Sequence, residues 1–230
     1  MQRKDKEITI VVPSRKNDEE SSAFIDSIKD TVGCKANVIF VVNDNSMGLS
    51  TLYHNMLSNE QIGSDIIVFC HDDIEFLKKG WGEEVIRLFS KNRKFGIIGV
   101  AGSAEFDEKG AWWNYQRRFG QVLHKNGGKS WLSAFSPLLD KDLEEVCVID
   151  GLFMAVKRSR ITKNFDPDLP GFDFYDIDFC LANFLDGKTK IGVTTNIRLA
   201  HKSVGELGDG WFRNRALINE KYGDEFPIRV

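Results

Sequence analysis

Ile8-Thr9-Ile10-Val11-Val12-Pro13-Ser14-Arg15, Val38-Ile39-Phe40-Val41-Val42-Asn43-Asp44-Asn45-Ser46 and Asp65-Ile66-Ile67-Val68-Phe69-Cys70-His71-Asp72-Asp73 share one design. Each is a short apolar, largely β-branched run that stops abruptly at polar residues. Such runs read as strands buried on both faces. Between them lie apolar residues at helical spacing: Phe24, Ile25, Ile28 and Val32, then Leu49, Leu52, Tyr53, Met56 and Leu57. Asn17 and Glu20 have the spacing of a capping box for the first of these helices. Trp81, Val85, Leu88 and Phe89 mark a third helix, and Gly96–Val100 a fourth strand. Alternating strand and helix predict an α/β fold with a mostly parallel central sheet and helices on both faces. Ligands of such sheets bind beyond the carboxyl ends of the strands. That rule directs attention to Pro13–Arg15, Asn43–Ser46 and His71–Asp73.

The chain has 230 residues, 31 basic and 34 acidic, for a net charge of −3. This near balance gives no electrostatic case for a nucleic-acid or anionic-membrane partner. A chain that is 42% hydrophobic and 28% charged suits one soluble globular domain over residues 1–230. The four cysteines stand far apart without a C-x-x-C pair, as expected of thiols in a reducing compartment. No run approaches the length of a membrane helix. The expectation is a cytoplasmic protein without a membrane span.

From about 103 to 145 the periodicity disappears among Trp112, Trp113, Tyr115, Trp131 and Phe135. This aromatic-rich insert is expected to be irregular: a flap, an acceptor-binding insert, or a loop packing its own aromatics. Regularity returns with Val146–Ile149, Leu152–Val156, a helix carrying Ile177, Cys180, Leu181, Phe184 and Leu185, and a last strand over Lys190–Ile197. A helical tail is expected over about 204–230. Neither Gly128-Lys129-Ser130 nor Gly187-Lys188-Thr189 has the earlier glycine of a phosphate loop, and no G-x-G-x-x-G follows the first strand.

Three clusters carry the chemistry. In His71-Asp72-Asp73-Ile74-Glu75, adjacent carboxylates at a strand end suit a Mg²⁺ or Mn²⁺ ion that also holds phosphate oxygens. The same residues read equally as a solvated turn with helix-capping aspartates. Asp173, Asp176 and Asp178 lie among aromatics that could desolvate a carboxylate, as a general base requires; capping of a helix N-terminus is the competing reading. His201 gains weight as a ligand only beside the other two clusters.

The order of these motifs, Ile8–Arg15, Val41–Ser46, His71–Glu75, Gly171–Phe179 and His201, resembles glycosyltransferase family 2, the inverting GT-A enzymes, over about residues 8 to 203. The resemblance is nearest to a bacterial glycosyltransferase-like branch with His-x-Asp and Phe-Tyr-Asp-Ile-Asp-Phe motifs. It implies the GT-A fold, a nucleotide-sugar donor (UDP-sugar favoured), a glycan or lipid-linked hydroxyl acceptor, and bacterial surface glycan synthesis. Pro13, Ser14, Arg15, Asp44, Asn55 and Asp72 would then line the nucleotide pocket, with Asp44 on the base. Asp72, Asp73 and His201 would hold Mn²⁺ or Mg²⁺, Asp176 would be the catalytic base, and Asp150 and Gly151 would lie near sugar and acceptor. Two positions depart from the pattern. Cys70 stands at the first acidic position of D-x-D, and Tyr175 replaces the Glu before the base. Two other readings compete: a metal-dependent phosphohydrolase, and a non-catalytic sugar-nucleotide or glycan-binding module on the same scaffold.

Overall fold

The computed structural model describes residues 7–15, 18–135, 141–205 and 207–230, the side chains of 18–21 excepted. The first half of the chain follows the alternation of its apolar runs: β1 (Glu7–Ser14), α1 (Asp18–Thr31), β2 (Lys35–Val42), α2 (Leu49–Ser58), β3 (Ile66–Cys70), β4 (Ile74–Phe76), α3 (Trp81–Lys91) and β5 (Phe95–Gly99). The cap expected from Asn17 and Glu20 lies outside the described residues. The first free N–H of α2 is satisfied differently, by Gly171 carbonyl at 2.9 Å. That bond ties the helix to the loop ahead of the second acidic cluster.

The second half comprises β6 (Ala101–Ser103), β7 (Glu105–Phe106), β8 (Arg118–Asn126), β9 (Lys129–Phe135), β10 (Glu144–Val146), β11 (Val148–Ile149), β12 (Phe153–Lys157), α4 (Tyr175–Leu185), β13 (Lys190–Val193), β14 (Leu199–His201), α5 (Asp209–Tyr222) and β15 (Ile228–Arg229). The central sheet runs β10-β13-β5-β12-β3-β1-β2. β1 pairs in parallel with β2 and β3, and β5 with β13. β12 enters between β3 and β5 antiparallel to both. Five of the seven strands therefore run one way, as a mostly parallel sheet does, with β12 and β10 running against them. β3 and β12 are buried at every residue, which explains why both read as continuous apolar runs. Periodicity alone does not fix the direction of such a strand.

The 103–145 segment is not irregular throughout. β8 and β9 form a hairpin in a second sheet of order β11-β6-β8-β14-β4, with β9 on β8. Its two-residue turn, Gly127-Gly128, has φ of 56° and 76°, the left-handed pair that a tight hairpin turn demands and that glycine supplies without strain. The strand expected over Lys190–Ile197 ends at Val193, and β14 follows separately in the second sheet. His201 thus closes a strand of its own beside β4 and β8. The two sheets meet at the carboxyl end of β3, because β4 continues from it into the second sheet.

Candidate active site

The site begins where β3 stops. Beyond Cys70 a turn at 72–73 leads into β4 and sends the side chains of 71, 72 and 73 to two sides. Asp72 faces β1, where its Oδ2 accepts a short hydrogen bond from Ser14 Oγ. His71 and Asp73 face the second sheet and meet His201 at the end of β14. Asp73 Oδ1 lies 3.2 Å from His201 Nε2 and 4.0 Å from His71 Nδ1. Ligand atoms of His71, Asp73 and His201 all lie within 4.8 Å of one another.

Electrostatics bind this trio together. Burial alone would raise Asp73, but His201, Ser203 and His71 outweigh it and carry the carboxyl well below the usual carboxylate range. Burial, aided by His201, lowers His71 against the pull of Asp73. Burial opposes the charged form of His201 too, yet Asp73 wins there and raises it. Asp73 Oδ1 is itself shielded from solvent and accepts no hydrogen bond of good geometry among the described residues. A buried carboxylate oxygen in that state costs free energy, and a cation among the three groups would relieve it. One carboxylate and two imidazoles fit a divalent transition ion such as Mn²⁺.

Tyr175 couples this trio to the second acidic cluster. Its hydroxyl hydrogen-bonds His71 Nε2 at 2.9 Å, fixing the ring whose Nδ1 faces Asp73, as outer-sphere partners of ligating histidines do. A Cβ at Gly151 would stand 2.2 Å from the Tyr175 hydroxyl, so only glycine fits there. The next side chain, Asp176, accepts from Gly151 N at 2.7 Å and from Ile177 N at 2.8 Å. Despite these donors and its place in the first turn of α4, Asp176 is pushed up to about 7, first by burial and then by Asp150. The residue that starts α4, Phe174, is buried and holds φ +64°. For a bulky side chain this left-handed backbone is strained, and Trp211 packs on its ring at 5.2 Å. Beneath the site, Tyr53 is fully buried against Phe69, Phe165 and Tyr175. Its hydroxyl has no hydrogen-bond partner among the described residues.

The remaining residues singled out from the sequence divide. Pro13, Ser14 and Arg15 end β1, and Ser14 carbonyl accepts from Asn43 N at 2.7 Å. Asn43 pins the following turn through both its amide atoms and Met47, leaving Asp44 exposed. Hydrogen bonds from Ser46 lower Asp44. Asn55 is exposed on α2, with only Met47 Sδ near its amide at 3.9 Å. Asp150 caps its own turn, its Oδ1 accepting from Leu152 N at 3.0 Å. Asp178 is structural: it is buried and accepts from Lys221 and Tyr222 of α5. Asp173 stays outside the trio, raised by burial against the effect of Arg213. The structure thus brings Asp73 and His201 together, turns Asp72 toward Ser14, and adds His71 and Tyr175, which sequence reasoning did not assign. The His-x-Asp pattern, which pairs 71 with 73, was the available signal.

Fold and site together define an α/β protein of the GT-A class. The model of a glycosyltransferase-like family matches residues 8–216, and the chain belongs to that family. A curated relative, the "ATP synthase subunits region ORF 6" protein of Fuscovulum blasticum, is 26% identical over 171 residues, 71% of this chain and 62% of that protein. Among solved structures, GalNAc-T7 with UDP, GalNAc and Mn²⁺ superposes with a TM-score of 0.58 at 12% identity, over 96% of this chain and 49% of that one. The mannosyltransferase PcManGT of Pyrobaculum calidifontis, in complex with GDP-Man and Mn²⁺, gives 0.54 at 11% identity, over 95% and 63%. The chain therefore spans less than two thirds of the length of each of these three proteins. Among the described residues, no helix is long and apolar enough to cross a membrane.

Proposed function

We propose that this chain transfers a sugar from a nucleoside-diphosphate donor to a hydroxyl acceptor with inversion at the anomeric carbon. The observation that carries this reading is the convergence of His71, Asp73 and His201 on one point, with Tyr175 between that point and Asp176. Mn²⁺ or Mg²⁺ bound by these three side chains would neutralise charge on the departing diphosphate, and the two imidazoles favour Mn²⁺. Asp72 and Ser14 lie on the β1 side, toward Asp44 and Asn55, where the nucleotide would bind. UDP is favoured through Asp44. The structures of similar fold that hold UDP or GDP-Man with Mn²⁺ support the donor class.

Asp176 is the base of this mechanism. Its carboxylate takes the acceptor hydroxyl proton as that oxygen forms the new bond to the anomeric carbon; the bond from that carbon to the diphosphate oxygen breaks, and its electron pair leaves with the nucleotide. Raised to about 7, Asp176 is basic enough to receive a proton yet substantially ionised at neutral pH. Gly151 N, bonded to Asp176 Oδ2, aims the other oxygen. We assign the protein to the cytoplasm and its acceptor to a glycan, with bacterial surface glycan synthesis as the setting.

Asp176→Asn should keep nucleotide binding and lose transfer; equal loss of both removes Asp176 from the base role. The test of the reaction itself is incubation of a panel of UDP- and GDP-sugars and Mn²⁺ with a panel of saccharide acceptors carrying free hydroxyls, followed, after chelation of the metal, by NMR of the anomeric proton of the product. Inverted configuration supports the reading, and retained configuration overturns it. A binding module without turnover is the second reading, favoured by Cys70. That thiol is fully buried with its pKa raised by burial, so the first acidic position offers no ligand. A phosphohydrolase loses ground because His54, one of only four histidines, is engaged with Phe165 carbonyl at 2.7 Å.

A further inference from the structure

The hairpin β8–β9 places one side-chain row across the second sheet. In register, Ile74 of β4 opposes His201 of β14, His201 lies beside His124 of β8, and His124 opposes Trp131 of β9. Side chains so aligned lie on one face of a sheet. The rings bear this out: His124 is 6.1 Å from His201 and 5.2 Å from Trp131, the latter pair nearly parallel at 17°. Trp131 therefore stands two strand spacings, roughly 10 Å, from His201. The imidazole covers one indole face, and the residue remains 42% exposed. An exposed tryptophan free to rotate would be a poor platform; this one is held flat by its stack and by the pairing of β8 with β9 on both sides of it.

Resting on the glycosyltransferase reading above, we infer that Trp131 is the stacking platform for a pyranose ring of a saccharide acceptor. Three features point to that occupant. An indole face is electron-rich and attracts the slightly positive C–H groups of a sugar ring. The row runs from His201, and the His124 stack leaves open the indole face turned away from it. A ring on Trp131 therefore lies more than roughly 10 Å from His201, where an outer sugar of a saccharide acceptor would sit when its terminal hydroxyl reaches the reacting centre. The nucleotide side is the opposite one, since Asp72 turns toward Ser14 and β1 while Asp73 and His201 turn toward the hairpin.

The test follows Trp131 directly. Indole N–H signals of the five tryptophans are recorded by NMR in protein saturated with diamagnetic Mg²⁺ and UDP or GDP, the Trp131 signal being assigned by its loss in Trp131→Phe. Methyl α- and β-glycosides of glucose, galactose, mannose and N-acetylglucosamine are then titrated into the high-millimolar range. The expected result is that at least one glycoside shifts the Trp131 signal. Trp131→Ala should weaken that glycoside about two- to tenfold, Trp131→Phe less, and both should leave nucleotide affinity within about twofold. No shift with any glycoside, or equal affinity in Trp131→Ala, overturns the platform even where nucleotide binding is intact. A decyl chain that shifts Trp131 where no glycoside does would also overturn it, by pointing to a lipid. Absence of nucleotide binding is a different failure, that of the donor site.

Discussion

Replacing Asp176 by asparagine should separate stability from catalysis. A carboxyl raised from 3.8 to about 7 keeps its proton in the folded protein over a range in which the unfolded chain has released it. Folding stability contributed by this group therefore falls as pH rises through that window, and the loss is complete above pH 7. Its full size is about 4 kcal/mol. The substituted amide would carry no charge to bury, but it has one acceptor oxygen for two donors, Gly151 N and Ile177 N, and stranding one costs about 1–3 kcal/mol. The net at pH 8 is a gain of about 1–3 kcal/mol. For a chain of this size that raises Tm by roughly 2–10 °C. At pH 5 the unfolded carboxyl is already ionised and the folded one is not, so only about 1.6 kcal/mol of the loss is in place; set against the stranded donor, the Tm difference then shrinks to within a few degrees of zero. Differential scanning calorimetry of both proteins in EDTA at several pH values reads this out. Transfer by the variant should fall by about 10²–10⁴ above pH 7, and the deficit should narrow at lower pH, where the wild-type base is itself protonated. A Tm difference that stays constant between pH 5 and pH 8 would refute the assignment of the titration to Asp176.

Three further outcomes are expected. Asp150→Asn removes the carboxylate that helps raise Asp176, so the rising limb of the pH–rate profile should move to lower pH; an unmoved limb means the two groups do not communicate. Tyr175→Phe frees His71 Nε2 and should weaken Mn²⁺ binding by about 10–100-fold, measured by electron paramagnetic resonance of free Mn²⁺, with the fold intact by circular dichroism. Tyr53→Phe deletes a buried hydroxyl that has no partner among the described residues. It should leave Tm unchanged or raise it, by up to about 1–3 kcal/mol of stability, and a marked loss of Tm would reveal a bond to that hydroxyl.

How much of this was legible in the sequence depends on where each signal resides. β1, β2 and β3, with the helices between them, follow from local patterning because each strand is a continuous apolar run with a polar stop. β12 was visible as a strand but not as an antiparallel one, since direction depends on the path of the chain and leaves no periodic trace in a strand buried on both faces. The hairpin was missed because β9 lies at the edge of its sheet and carries Trp131 and Leu132 exposed, which blurs alternation. Asn126-Gly127-Gly128-Lys129 was its readable turn signal. In the site, Asp73, Asp176 and His201 could be chosen by residue type and order. His71 was legible only through the His-x-Asp pattern, which pairs 71 with 73, whereas attention to adjacent carboxylates groups 72 with 73. Tyr175 read as a departure from a family pattern; the structure shows it fitted against Gly151 and bonded to His71.

The central claim is that His71, Asp73 and His201 present a divalent ion to a nucleoside diphosphate. Isothermal titration of the protein with UDP and GDP, each with Mn²⁺ and with EDTA, tests it most directly. The account predicts that one nucleotide binds with Mn²⁺ and is weakened at least tenfold without it, and that Asp73→Asn abolishes the difference. Absence of binding by either nucleotide under both conditions, or binding indifferent to Mn²⁺ and to Asp73→Asn, would contradict it.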